Sequence, residues 1–323
     1  MSFDAHLAVI AGEPWLQAGP HRLVSRVLLG IEQYTSASLV GKVLDASGAD
    51  VFITTYDLEQ SRTSLLLADL DREVELSRYA WIGTTSFACS ADAAVRTAHY
   101  LRDALDIMVI KLDVRDQNKL PDPGATVAAA RQLLAEDFCV LPFVPPDVQV
   151  ALVLQDLGCA ALRLMASPVG SYRGITDPAA MRRCIEAASV PVIVEGGIGS
   201  PAHIVQAMEL GATAVLVNTL VAQAKDPVAM AAAVRHAVLA GSLAARADGL
   251  VARGSLDGPA DRPSRGGLVR HGWCADRYQR SRNATVAAGW VTCRPRAVRQ
   301  RVAGRRSGLH AGAHSRAAVL HAT

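Results

Sequence analysis

The sequence predicts an α/β protein whose core is a (β/α)8 barrel of the TIM type. Three observations carry that prediction. Short apolar runs alternate with amphipathic helical segments from about residue 26 to residue 241. There are eight such runs, the number that closes a barrel. The GxGxxG fingerprint that an open doubly wound sheet carries after its first strand is missing. A chain of 323 residues that is 50% hydrophobic and 20% charged has ample apolar material for such a core.

In chain order the predicted strands are "RVLLG" (26–30), "DVFITT" (50–55), "AWIG" (80–83), "IMVIKLDV" (107–114), "CVLPFV" (139–144), "ALRLM" (161–165), "VPVIVEGG" (190–197) and "AVLVN" (214–218). Helical periodicity fills the gaps at 92–105, 124–137, 146–158, 178–188, 201–211 and 227–241. Several of these segments open after Pro or Asp and close at Gly, as helix ends do. The apolar segment "HLAVIAGEPWLQAG" (6–19) lies in an N-terminal extension, residues 1–25, that is expected to close the lower end of the barrel. Residues 26–253 are expected to form the catalytic barrel domain.

Residues 254–323 read differently. They hold thirteen arginines and three aspartates but no lysine or glutamate, about +10, which leaves about −7 on residues 1–253 of a chain with formal charge +3. The reading is a disordered Arg-rich tail. A nucleic-acid-binding arm and a reading-frame artefact of a GC-rich gene are its alternatives. The acidic barrel itself is a poor partner for nucleic acid. No apolar run reaches the roughly 18 residues of a membrane span, and the first residues lack the basic-then-apolar order of a secretion signal. The six cysteines show no CxxC or Cys/His pairing, so we expect a reduced, cytoplasmic protein with no metal site and no cofactor.

Barrel chemistry sits where strands end and loops begin. In "VIKLDV" alternate residues share a face. Ile110, Leu112 and Val114 suit the layer between barrel and helices, so Val109, Lys111 and Asp113 point inward, with the two charges about 7 Å apart along the strand. The chain has only four lysines against twenty-nine arginines. A lysine inside a strand either fills space as an ion pair with Asp113 or presents an amine that forms a Schiff base, with the carboxylate moving protons. The strand by itself leaves both open. In "VPVIVEGGIGSPAHIVQAMELGA" a buried strand ends at Glu195, then Gly196 and Gly197 let backbone approach a ligand before a helix N-terminus. The next strand ends at Asn218 and Thr219. Two such neighbouring ends match the phosphate site that barrels place after their seventh and eighth strands. The loop "MASPVGSYRGITDP" adds Gly170, Ser171 and Gly174 beside it, and Glu195 offers Lys111 a second carboxylate.

These residues resemble a known family. "KLDVRDQNKLPDP", "VLPFVPPD", "ASPVGS", "VPVIVEGGIGSPAHIVQAMELGATAVLVNT" and "AKDPVAMA" are similar to thiazole synthase, the barrel enzyme of thiamin biosynthesis, in order from about Arg26 to Gly241. The resemblance implies that Lys111 forms an imine with 1-deoxy-D-xylulose 5-phosphate. A ubiquitin-like sulfur-carrier protein would bring sulfur as a C-terminal thiocarboxylate. Asp113 and Glu195 would be the acid–base pair, and Gly170, Gly196, Gly197, Asn218 and Thr219 the phosphate contacts, in a homo-oligomer. Family members usually carry Arg-Arg after the second strand and Pro-Asn-Thr-Ala-Gly after the third, where this chain has "ITTYDLEQSR" and "GTTSFAC". Asp113 stands for the usual Glu and Glu195 for the usual Asp. A kept lysine and phosphate grip with a changed far wall points to another phosphosugar. A sister group resembling thiazole synthase makes 2-thiosugars for antibiotics from a hexose 6-phosphate. We therefore read a hexose 6-phosphate sulfur-inserting enzyme first and a divergent thiazole synthase second. A non-catalytic barrel that binds the carrier, and an aldolase or isomerase using the same lysine, are further alternatives.

Overall fold

Each of the eight predicted runs forms a strand, and all eight pair in parallel. The structure, a computed structural model, describes residues 14–18, 21–34, 36–55, 67–86 and 88–247. The first residues of the N-terminal extension, most of "ITTYDLEQSR", Phe87 of "GTTSFAC" and the whole Arg-rich tail lie outside the described residues. A short hairpin, β1 (Leu16–Ala18) and β2 (His21–Leu23), precedes the barrel strands. These are β3 (Val27–Gly30), β4 (Val51–Thr55), β5 (Ala80–Thr84), β6 (Val109–Leu112), β7 (Cys139–Val144), β8 (Leu162–Met165), β9 (Val192–Glu195) and β10 (Ala214–Val217). They close in that order, with β10 pairing back onto β3.

The described helices are α1 (Ala37–Ser47), α2 (Leu67–Glu73), α3 (Ala91–Leu105), α4 (Pro123–Ala135), α5 (Val148–Asp156), α6 (Pro178–Ala187), α7 (Pro201–Glu209), α8 (Thr219–Ala222) and α9 (Pro227–Arg246). Their starts follow from local chemistry. Ser36, Ser90, Asp122, Asp147, Asp177 and Asp226 each accept a backbone N–H of the first turn through their side chains, and proline opens α4, α6, α7 and α9.

One helix end departs from its sequence signal. Gly241 reads as a stop, yet α9 runs on to Arg246. A Cβ at Gly241 would lie 2.7 Å from both Met208 Cβ and Val205 O, so this glycine lets α9 press against α7. By length and composition α9 is also long and apolar enough to cross a membrane. It packs against α1 and α7 and buries Ala231, Val234 and Val238, the apolar face that an outer barrel helix needs.

Alternation along the strands separates two cores. Leu28, Ile53, Ile82, Val109, Leu141, Ala161, Ile193 and Leu216 form the buried barrel interior together with Leu16, Ala18 and Leu23 of the hairpin. Leu29, Ile110, Leu112, Leu164, Val194 and Val217 belong to the larger cluster between strands and helices. The hairpin is tied down by Asp50, whose Oδ2 accepts the N–H groups of Val24 at 2.7 Å and Ser25 at 2.8 Å. Among the described residues, Lys111, Arg163 and Glu195 place charges at inward positions of β6, β8 and β9.

Candidate active site

Lys111 follows Val109 on the inward face of β6, and the residue is almost fully buried at 5% exposure. Its Nζ lies 3.1 Å from Glu195 Oε1. Glu195 ends β9, and its other oxygen accepts the Nε–H of Arg163 at 2.6 Å. Arg163 is fully buried on the inward face of β8 and also donates through Nη1 to Leu141 O at 2.9 Å and Leu112 O at 3.2 Å. Its guanidinium lies 5.1 Å from the centroid of the Phe143 ring, a cation–π contact. Burial pushes the Glu195 carboxyl up, but the charges of Arg163 and Lys111 outweigh it and hold the group below its ordinary value.

The ion pair between Lys111 and Asp113 that the strand alone left open is replaced by two others. Lys111 pairs with Glu195, and Asp113 pairs with Arg115. Asp113 sits just past β6 with no exposed surface. Arg115 donates Nε to its Oδ1 at 2.9 Å and Nη2 to its Oδ2 at 2.7 Å, a two-point fork. Burial again opposes ionisation, and the Arg115 bond with the charges of Lys111 and Arg163 brings the Asp113 carboxyl down to about 2. The changed loop after β5 touches this group too. Thr85 Oγ1 bonds the Asp113 backbone N–H at 2.8 Å, and the Ser86 hydroxyl donates to Asp113 Oδ2 at 3.4 Å. Thr84 is the strand neighbour of Lys111, and its hydroxyl lies 2.8 Å from that of Ser86.

On the other side of Glu195 opens a cleft of about 390 Å³, measured out to its mouth, lined by Gly170, Tyr172, Gly196, Gly197, Asn218 and Thr219 among others. Gly170, Gly196 and Gly197 take φ of 80°, 81° and 61°, the left-handed region that glycine enters without cost. Ser171 stands behind this wall, its hydroxyl 3.0 Å from that of Ser167, against Gly197. The Ser200 side chain makes no cap bond at the start of α7, which leaves N–H groups of that first turn available to an anion. A Cβ at Gly197 would fall 1.8 Å from Ser167 Oγ. Gly197→Ala is therefore expected to lower the unfolding free energy by about 1–3 kcal/mol. Urea melts of variant and wild type measure it, and a loss under about 0.5 kcal/mol would show that the loop yields.

Three members of the site were missed in the sequence. Arg163 was visible by the rule that singled out Lys111, since Ala161 and Arg163 share the inward face of β8. Arg115 had only its place two residues beyond Asp113. Glu32, two residues past β3, had no local signal, and its carboxyl accepts Asn218 Nδ2 at 2.5 Å in the barrel mouth.

The family described as "Thiazole biosynthesis protein ThiG" matches residues 17–257. The thiazole synthase of Anoxybacillus flavithermus is 41% identical over 233 residues, 71% of this chain and 90% of that protein. That of Geobacillus thermodenitrificans is 42% identical over 230 residues, again 71% and 90%. Among solved structures, the BexX/CysO complex of Amycolatopsis orientalis matches at 53% identity with a TM-score of 0.73, over 75% of this chain and 100% of that one.

Proposed function

The chain belongs to the thiazole biosynthesis protein ThiG family of sulfur-transferring enzymes, and from that premise we propose that it inserts sulfur into a phosphosugar held covalently on Lys111. The observation that carries this reading is one residue with two neighbours: Lys111 faces Glu195, and Glu195 lines the glycine-walled cleft. A sugar whose phosphate sits against Gly170, Gly196, Gly197, Asn218 and Thr219 has its carbonyl end near the amine. Glu195, 3.1 Å from Nζ, accepts the ammonium proton, and the freed amine attacks the carbonyl carbon. Asp113, kept ionised by Arg115, balances the positive charge that the iminium brings into a buried site.

The substrate we propose is a hexose 6-phosphate, which would leave as a 2-thiosugar for a secondary metabolite. The wall opposite the phosphate cleft supports it. Thr84 beside Lys111 and Ser86 against Asp113 offer hydroxyl partners to a substrate with several hydroxyl groups. The second reading, thiazole formation from 1-deoxy-D-xylulose 5-phosphate, is favoured by the identities to curated thiazole synthases. The sulfur donor in either case is a sulfur-carrier protein ending in a thiocarboxylate. The solved complex of BexX with CysO supports a protein partner. This reading places the reaction in the cytoplasm.

Intact-protein mass spectrometry after borohydride trapping tests the proposal. Glucose 6-phosphate is expected to add its dehydrated, reduced mass to the wild-type chain. Mass gained from deoxyxylulose phosphate alone selects the second reading, and no gain from either sugar refutes covalent capture.

A further inference from the structure

Among the described residues, three carboxyl groups feel the charge of Lys111, and two of them are bound to cations. Asp113 is forked by Arg115, and Glu195 is shared between Lys111 and Arg163. Glu32 differs, since its carboxyl accepts from the neutral amide of Asn218. Its position follows from strand alternation. Leu28 faces the barrel interior and Leu29 the helix layer, so Gly30 is an inward position. A Cβ at Gly30 would lie 2.6 Å from Glu32 Oε2 and 2.9 Å from Asn218 Cβ. The chain turns back over its own strand end, and the Glu32 carboxyl fills the space an inward side chain at position 30 would take. It hangs in the barrel mouth next to Asn218, a residue of the phosphate cleft.

The charged and titratable groups that act on Glu32 come from all sides of that mouth. Lys111, Glu195, Asp113 and Arg115 reach it from β6, β9 and the loop after β6, and Tyr34 from its own loop. Burial is the largest influence and raises the carboxyl above its ordinary value. Lys111 opposes this, while Glu195 and Asp113 add to it. Carboxyls in one site whose surroundings push them apart divide the work, the low ones staying charged and the raised one carrying the proton.

Resting on the Schiff-base reading above, we propose that Glu32 is the catalytic acid–base that passes protons to and from the Lys111 adduct. As the neutral amine attacks, the new C–N bond forms, the carbonyl π bond breaks and its oxygen takes the Glu32 proton. The Glu32 carboxylate then removes a proton from the nitrogen of the carbinolamine. It returns that proton to the hydroxyl, the C–O bond breaks, and water leaves behind an iminium beside the Glu32 carboxylate. Electrons and protons balance with no other reactant. Asp113 remains charged throughout these steps.

The test is the rate of borohydride-trapped adduct formation against pH, measured on the full chain with whichever of glucose 6-phosphate or deoxyxylulose phosphate labels wild type. The amine must be neutral and the acid protonated. The rate follows the product of these two populations, so the wild-type profile should rise and then fall with pH. Glu32→Gln keeps an oxygen for Asn218 but cannot titrate. We expect about a 100-fold lower rate and loss of the falling limb, while Glu32→Asp keeps the limb at an intermediate rate. A Glu32→Gln profile that retains the falling limb and stays within about threefold of wild type overturns the proposal. So does a Glu32→Asp profile without the limb, which decides the matter if the Gln variant does not fold. If wild type itself gains no mass from either sugar, the Schiff-base reading fails and this inference with it. Normal wild-type labelling with an unaltered Glu32→Gln profile removes Glu32 alone.

Discussion

Lys111→Arg yields a folded protein that gains no mass from a phosphosugar and turns over at no more than about one ten-thousandth of the wild-type rate. Arginine keeps the positive charge against Glu195, so the buried carboxylate keeps a cation on each oxygen. Its guanidinium does not deprotonate in a protein and cannot become the carbon–nitrogen nucleophile. The variant thus separates the two roles that strand position alone left open. An ion-pair lysine tolerates the exchange with most activity retained, and a Schiff-base lysine does not. Four orders of magnitude correspond to about 5.5 kcal/mol of barrier, the scale expected when a covalent route is removed. Intact mass after borohydride reads the adduct and circular dichroism reads the fold. A trapped sugar on Lys111→Arg, or turnover within about tenfold of wild type, would return Lys111 to the status of a space-filling charge.

Arg163→Met is expected to cost about 3–5 kcal/mol of stability, because it strips one partner from a buried carboxylate. Glu195 then has Lys111 alone, and the carbonyls of Leu141 and Leu112 lose their donor. The double variant Arg163→Met/Glu195→Gln replaces the weakened carboxylate with a neutral amide, although Lys111 then loses its ion-pair partner, and should recover part of that loss. The pH dependence follows the same logic. Glu195 is held below its ordinary 4.5, so its contribution is fully present above that pH and is lost as pH falls through the depressed folded value. In Arg163→Met the depression shrinks, and the acid-side slope of stability flattens. Urea unfolding at pH 7 and at pH 4 measures both effects. A single-variant loss below about 1 kcal/mol, or a double variant no better than the single, would show that Arg163 does not hold Glu195 in place.

How far such a site is readable before folding depends on the range of the signal. The eight strands, the Asp and Ser caps with prolines behind them, and the paired glycines after β9 are local, and each was legible within a few neighbouring residues. Gly241 misled because its cause is not local. The same residue that often ends a helix here clears room for α7. Glu32 was invisible for a similar reason, since it is an acidic loop residue like others until the chain folds back over Gly30.

The sequence by itself determined which way each charge points. Side chains alternate along a strand, so Lys111, Arg163 and Glu195 were committed to the barrel interior before any tertiary contact formed. Only the closed barrel decided which of them meet. β6 and β9 are not neighbours in the sheet, and nothing in either strand encodes the 3.1 Å between Lys111 and Glu195. That distance comes from closing eight tilted strands with a fixed stagger, which brings the inward residues of non-adjacent strands together across the interior. The Asp113–Arg115 fork is local, two residues apart in one loop, whereas closure set Glu195 between Lys111 and Arg163 and Glu32 against the neutral amide of Asn218.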